Sequence, residues 1–204
     1  MSNVCIVGNG ACALRKELGK FIDSCELVIR LGEFVTEGYE EFVGSKTDIF
    51  VSRWRKCKSR PKNFFNDISE FWIPRTFESR EEKYDHLITE YNVETKIKYI
   101  PSSLIFLYKA RYPYRYVKNN NSRRGNKELY CCIPDSGIVA IDMAKHFFPD
   151  STLWITGFDN CSSGYYWDVD KKLDLIGDDL LDLQLKYLQE MVKANKINDL
   201  AQIL

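Results

Sequence analysis

Gly8-Asn9-Gly10 ends the apolar run Val4-Cys5-Ile6-Val7, and Ala13 follows three residues later. Glycines at a strand-to-helix junction let the backbone approach a phosphate, and the N–H groups that open the helix carry partial positive charge toward it. The spacing also fits G-x-G-x-x-G/A, the dinucleotide pattern. That pattern needs an acid about 20 residues on to hold a ribose. The matching strand ends Arg30-Leu31-Gly32-Glu33, so Glu33 is the residue available. A nicotinamide cofactor and an activated sugar are both open at this point, as is a turn that only packs helix against strand.

Cations and aromatics form a second group. Arg53-Trp54-Arg55-Lys56-Cys57-Lys58-Ser59-Arg60-Pro61-Lys62 follows the third strand, and the stretch 109–127, KARYPYRYVKNNNSRRGNK, has no acid. Cations for phosphates with aromatics for stacking are the ingredients of nucleic-acid contact. A solvated loop is the simpler alternative. Seven cysteines, an odd number without C-x-x-C, read as reduced structural thiols, and no metal site is expected.

These residues must be positioned by a chain of 204 residues, long enough for one domain with a sizeable core. Lys+Arg and Asp+Glu balance at 29 each, so no global attraction to polyanions follows. No apolar run reaches the roughly 20 residues of a membrane helix, and the N-terminus has no signal-peptide pattern. The reading is a cytosolic protein without a membrane partner. Residues 4–7, 27–31, 47–51, 71–73, 97–100 and 153–156 read as strands. Residues 11–21, 63–69, 81–91, 138–148 and 180–193 read as helical. The alternation implies an α/β fold: one domain over 1–204, a Rossmann-like, mostly parallel sheet with helices on both faces. The stretch at about 109–127 reads as a basic loop or lid.

Three ordered segments resemble the motifs of sialyltransferases. The first is Gly8-Asn9-Gly10, Ile22-Asp23-Ser24, Val28-Ile29-Arg30, Gly38-Tyr39-Glu40 and Val43-Gly44-Ser45-Lys46-Thr47, matching the large motif. The second, residues 134–160, PDSGIVAIDMAKHFFPDSTLWITGFDN, is similar to the small motif. The third, Ser163-Gly164-Tyr165-Tyr166-Trp167-Asp168, resembles the short aromatic motif. Together they cover about half the chain. The resemblance implies a modified GT-A type sheet domain that binds a CMP-activated sugar without a cofactor or a required metal.

Carried over residue by residue, the resemblance sets Gly8, Asn9 and Gly10 by the donor phosphate and Ser136 and Gly137 against the donor. Gly157 and Phe158 would border the cytidine, and Tyr165 and Tyr166 would hydrogen-bond the leaving phosphate. Ser52, at the end of the third strand, joins the donor set. Two departures matter: the family asparagine after Arg30-Leu31 is Gly32 here, and the stretch before the last helix, which holds the family's catalytic histidine, has none. The chain's two histidines, His86 and His146, lie elsewhere. A carboxylate of the right pKa can serve as general base. Asp178 and Asp179 are the candidates, with helix capping as their alternative role; Tyr165 and His146 come next. The absence of an anchor implies a cytosolic acceptor, and Arg53, Arg55, Lys56, Lys58, Arg123 and Arg124 would hold the phosphates of double-stranded DNA. A CMP-linked pentose moved to hydroxymethylcytosine in phage DNA fits that set. The other readings are a sialyltransferase-like enzyme acting on a small glycan, an NAD(P)-dependent oxidoreductase and an inactive nucleic-acid-binding module.

Overall fold

The computed structural model describes residues 2–52, 60–74, 96–112, 115–118, 127–130, 134–159, 164–168, 170 and 178–201. In chain order its strands are β1 Asn3–Val7, β2 Leu27–Leu31, β3 Ile49–Val51, β4 Glu70–Ile73, β5 Lys96–Tyr99, β6 Arg115–Lys118, β7 Lys127–Tyr130, β8 Thr152–Thr156 and β9 Asn198–Asp199. The α-helices are α1 Gly19–Ser24, α2 Glu40–Val43, α3 Ser102–Arg111, α4 Ser136–Phe147 and α5 Asp178–Lys193. Seven strands pair in parallel in the order β5-β4-β3-β2-β1-β8-β9.

Strands buried on both faces are near-continuously apolar, as β1 is from Val4 on and β2 is apart from Arg30. Val4, Ile6, Ile29 and Leu31 face the main core with Leu104 and Tyr108 of α3, Ile138 and Ile141 of α4, and Leu188 and Met191 of α5. Cys5, Val7 and Val28 face the other way, onto Ala13, Ile22 of α1 and Val43 of α2. Phe50 and Phe71 stack on a separate aromatic cluster with Phe34 and Phe65. Helices thus cover both faces, as expected. Cys5, Cys12 and Cys25 are buried free thiols; the other four cysteines lie outside the described residues.

Three expected elements differ, and the helix expected over 81–91 lies outside the described residues. The one expected over 63–69 is a 3-10 turn, Lys62–Phe65. The helix over 11–21 is instead a 3-10 turn, Ala11–Arg15, followed by α1. Lys16 swings to an extended conformation between them. At the restart, a Cβ on Gly19 would lie 1.8 Å from the Glu40 carbonyl oxygen, so the close packing of α1 on α2 overrides local helix preference. Of the stretch 109–127, expected as a basic loop or lid, residues 109–111 finish α3 and 115–118 form β6, paired antiparallel with β7; residues 113–114 and 119–126 lie outside the described residues. Neither α3 nor the edge strand β9 was expected from sequence.

Much of the large-motif sequence serves this scaffold. Arg30 is fully buried; its Nε donates to the Lys46 carbonyl (2.8 Å) and one terminal nitrogen to that of Val43 (2.7 Å). Burial pushes its pKa down. The Asp23 carboxylate accepts from the N–H groups of Ser45 and Lys46 and from the Ser45 hydroxyl, at 2.9–3.0 Å. The Lys46 ammonium donates to the carbonyls of Cys25 and Glu26. Residues 23–30 are thereby tied to the 43–46 turn. Hydrogen bonds to a charged group contribute about 1.5–3 kcal/mol, so Asp23→Ala should lower unfolding stability by about that amount in urea titration. Asp23→Asn, which keeps an acceptor oxygen, should lose less.

Candidate functional site

The chain builds β1 to β5 outward on one side and then crosses to β8 and β9 on the other, so the topological switch lies between β1 and β8. Ligands of open α/β sheets bind at that point, outside the strands' carboxyl ends. Here the two strand ends touch backbone to backbone. Gly8 N–H donates to the Thr156 carbonyl (2.8 Å) and Gly10 N–H to that of Gly157 (2.9 Å). A Cβ on Gly8 would sit 2.4 Å from the Gly157 oxygen, and one on Gly157, which has φ of +75°, 2.5 Å from the Gly8 oxygen. The amides of Gly8 and Gly10 are therefore spent on β8. The helix after them is a five-residue 3-10 turn. This is not the geometry of a dinucleotide fingerprint, which aims an α-helix N-terminus at a pyrophosphate, and the nicotinamide reading loses its structural basis.

Asn9 spans from this turn to the end of β2. Its Nδ2 donates to the carbonyls of Leu31 and Glu33, both at 2.9 Å, while its Oδ1 is buried without a partner. Arg60 holds the same segment from the far side, donating to the Gly32 carbonyl (3.1 Å) with its guanidinium over the rings of Phe34 (4.2 Å) and Phe64 (4.8 Å). Sequence reasoning placed Arg60 in a basic stretch but not in the site; only the fold brings it back to β2.

On the β8 side, the Phe158 ring rests on two glycines. A Cβ would lie 3.2 Å from it at Gly8 and 2.8 Å at Gly137. Next to it, the Asp159 carboxylate fills the space over Gly10, where a Cβ would lie 2.5 Å from its oxygen. Burial first, and the Asp159 charge second, push the Cys12 thiol up to about 12, so Cys12 is not a nucleophilic thiolate at neutral pH. Asp159 was not expected as a site residue, because its place depends on the β1–β8 pairing.

Helix α4 points its N-terminus at the same edge. Its Asp135 cap accepts from Gly137 N–H (2.8 Å) and Ile138 N–H (3.0 Å). The N–H of Gly137, a residue that the resemblance sets against the donor, is thus held by a carboxylate, and Ser136, half-buried, opens the helix beside it. The Asp135 N–H in turn donates to Oε1 of the buried Gln184 on α5 (2.9 Å). Because α5 feeds the parallel strand β9, it runs against the strands, and its first residues lie at their carboxyl edge. Asp178 and Asp179 begin α5, about 9 Å before Gln184 along the helix axis. Lower down, the Tyr187 hydroxyl donates to the Asp142 carboxylate, and burial raises the pKa of Asp142.

The two tyrosines of the aromatic motif part ways. Tyr166 is buried; its N–H donates to the Asn9 carbonyl (3.0 Å) and its hydroxyl to that of Val35. Tyr165 forms a bridge with Gly10 and stacks on Trp167 at 4.8 Å. Gly8, Asn9, Gly10, Gly137, Gly157, Phe158, Tyr165 and Tyr166 are therefore gathered at the switch. Ser52 is buried at the end of β3, two strand spacings or about 10 Å from β1. His146 is exposed near the far end of α4, one helix length from this edge. His86, Arg53, Arg55, Lys56, Lys58, Arg123 and Arg124 lie outside the described residues. Among the described residues, no cluster of His, Cys, Asp and Glu is arranged to hold a metal, and no helix is long and apolar enough to cross a membrane.

Comparison with known proteins agrees with this geometry. The family model for glycosyltransferase family 29 (sialyltransferase) matches residues 2–172. The chain is similar to the CMP-N-acetylneuraminate-beta-1,4-galactoside alpha-2,3-sialyltransferases of Mus musculus and Homo sapiens. It is 26% identical to each over 219 residues, covering 96% of this chain and 56% of theirs. It therefore spans about half the length of these curated relatives. Among solved structures it is similar to a mammalian sialyltransferase in complex with Gal-beta-1-3GalNAc-ortho-nitrophenol (TM-score 0.61, 18% identity, 98% of this chain, 69% of that one). It is also similar to the sialyltransferase CstII from Campylobacter jejuni in complex with cytidine-5′-monophosphate (TM-score 0.56, 15% identity, 98% of this chain, 79% of that one).

The glycine contacts are open to a direct test. Gly157→Ala adds a backbone collision to a left-handed conformation that itself costs about 1–3 kcal/mol. Gly38 has φ of +81° but open space where a Cβ would go, so Gly38→Ala carries the conformational cost alone. Gly157→Ala should be the more destabilised of the two in thermal unfolding, and equal losses would mean that the β1–β8 contact yields easily.

Proposed function

Because this chain belongs to glycosyltransferase family 29, the sialyltransferases, we propose that it is a glycosyltransferase that takes its sugar from a CMP-linked donor. The observation that carries this reading is the convergence of all three motif segments on one point, the β1–β8 switch. The curated relatives are named for CMP-N-acetylneuraminate and galactosides, which favours N-acetylneuraminate as the sugar and a saccharide hydroxyl as the acceptor. The pentose and hydroxymethylcytosine reading rested on Arg53, Arg55, Lys56, Lys58, Arg123 and Arg124. Those residues lie outside the described set, and the relatives lend that reading no support.

In the proposed reaction, the acceptor oxygen bonds to the anomeric carbon, the bond from that carbon to the CMP phosphate oxygen breaks, and a base takes the acceptor proton. The departing phosphate gains negative charge, which preorganised donors stabilise. Tyr165 is our candidate for that contact, because a backbone bridge to Gly10 holds it, half-exposed, beside the turn. The Tyr166 hydroxyl is committed to Val35 and acts on the scaffold. Phe158, seated on Gly8 and Gly137, would border the cytidine, with Ser136 beside it. Asn9 would shape the cradle through its ties to Leu31 and Glu33, with its buried Oδ1 an acceptor that has no protein partner. Asp178 or Asp179, at the start of α5 on the same edge, would supply the base.

Calorimetric titration should show binding of CMP ahead of UMP and none of NAD; tight NAD binding without CMP binding would overturn the reading. Mass spectrometry after incubation with CMP-N-acetylneuraminate should find the sugar on a galactoside and not on hydroxymethylcytosine DNA. Tyr165→Phe should lower kcat about 10- to 100-fold, from losing one hydrogen bond to a charged group. Tyr166→Phe should instead show its main effect in thermal unfolding. Asp178→Asn or Asp179→Asn should slow transfer by about 10²–10⁴-fold in whichever variant has lost the base, with CMP affinity retained.

A further inference from the structure

Asp159 sits where an acid is least expected. Its carboxylate fills the space over Gly10, with both oxygens and the carboxyl carbon 2.5–2.6 Å from where a Cβ on that glycine would lie. Gly10 belongs to the turn that the CMP-donor reading sets beside a phosphate, and two anions at close range repel. A half-buried carboxylate at that place weakens phosphate binding unless another part of the same ligand gains from it. A cation between the two anions would serve, but among the described residues no group of three His, Cys, Asp or Glu side chains could hold one. Hydroxyl groups are the alternative, because an ionised carboxylate only accepts hydrogen bonds.

The order of contacts on the turn selects the hydroxyls. Phe158 rests its ring on Gly8 and Gly137 and is the residue set to border the cytidine. Asp159 follows it directly and covers Gly10. Tyr165, the candidate for the leaving phosphate, is bridged to Gly10. From Gly8 to Gly10, contacts for a base give way to a carboxylate and then to a contact for a phosphate. Two residues of chain span at most about 7 Å, the scale of one ribose. In a CMP-linked sugar the ribose is what lies between base and phosphate, and its 2′- and 3′-hydroxyls are adjacent donors that suit the two oxygens of one carboxylate. In dinucleotide-binding sheets an Asp or Glu holds a ribose hydroxyl in this way, and spacing alone offered Glu33 for that task. The fold sets Glu33 beyond β2, with its carbonyl on Asn9, and puts Asp159 on the β8 side beside Phe158. The Cys12 thiol also reaches the Asp159 carboxylate. That contact and a ribose are compatible, since a carboxylate has about four acceptor positions.

We propose that Asp159 is a specificity-determining residue of the donor site, an assignment that rests on the CMP-donor reading. Its carboxylate accepts from the 2′- and 3′-hydroxyls of the ribose, and the site thereby selects a ribonucleotide-linked sugar over its 2′-deoxy counterpart.

The test is calorimetric titration of the full chain with CMP and with 2′-deoxy-CMP, in EDTA and again with magnesium. Wild type is expected to bind CMP about tenfold or more tighter than 2′-deoxy-CMP, the effect of one hydrogen bond to a charged group, with or without magnesium. Asp159→Asn keeps the size of the side chain and removes its charge. It should bind CMP more weakly than wild type, and 2′-deoxy-CMP at least as tightly, because the repulsion on the phosphate is gone. Asp159→Ala should bring the two affinities within about twofold of each other. A residue that only braced the Gly10 turn would weaken both nucleotides alike. Thermal unfolding reports whether the variants are folded, and the wild-type comparison of the two nucleotides needs no variant. Equal binding of CMP and 2′-deoxy-CMP by wild type overturns the proposal and leaves the CMP-donor reading standing. A preference for CMP that survives in Asp159→Ala does the same, as does a loss common to both nucleotides. Binding that requires magnesium and disappears with Asp159 assigns the carboxylate to a cation and also overturns it. If wild type binds neither nucleotide, the donor reading falls and the ribose contact falls with it.

Discussion

The contact between the ends of β1 and β8 is the constraint on which the site depends. Two backbones meet at Gly8 and Gly157 with no room for a Cβ on either, and two hydrogen bonds lock the strand ends together. Once they are locked, the residues on either side have little choice. Phe158 must lie across Gly8 and Gly137, Asp159 must cover Gly10, and the aromatic motif closes over the turn through Tyr165 and the Tyr166 N–H. A single added methyl group at Gly157 would disturb all of these at once, because they share one backbone approach.

Around that point the molecule separates scaffold from candidate chemistry by which hydroxyls and charges are already engaged. Tyr166 and Arg30 are buried, with the Tyr166 hydroxyl and the Nε and one terminal nitrogen of Arg30 on backbone carbonyls. Asp23 and Lys46 are likewise committed to the backbone of neighbouring segments. These are motif residues, and in this chain their observed contacts are structural. Asn9 stands between the two classes: its amide nitrogen braces β1 against β2, while its oxygen has no protein partner. Asp135 has a similar double effect. Its carboxylate caps α4, and its N–H recruits Gln184, so the start of α5 is oriented by the cap of α4. The Asp142–Tyr187 hydrogen bond, inside the core, repeats that coupling about one turn further along α5 and two along α4.

Several of the differences from expectation have one origin. Residues 11–21 carry helical periodicity but break at Lys16, because α1 and α2 pack with Gly19 against the Glu40 carbonyl. The Gly8-x-Gly10-x-x-Ala13 spacing matches a dinucleotide turn, yet its amides are taken by β8. In both cases a nearby segment remote in sequence competes for the same backbone and wins.

The sequence by itself determined the strand set β1 to β5 and β8, since short runs rich in apolar and β-branched or aromatic residues between turn signals favour strands, and it determined the family through three ordered motifs whose local spacing survives translation into structure. It also named Gly8, Asn9, Gly10, Gly137, Gly157, Phe158 and Tyr165 as one group. Only the tertiary structure decided that Tyr165 and Tyr166 have different fates, that Ser52 lies two strands away, and that Asp159 and Arg60 reach the site's edge. The reason is physical: strand patterns and motif spacings are local, carried by neighbours along the chain. Whether a hydroxyl or a charge is free for a ligand depends on which distant carbonyl the fold sets beside it.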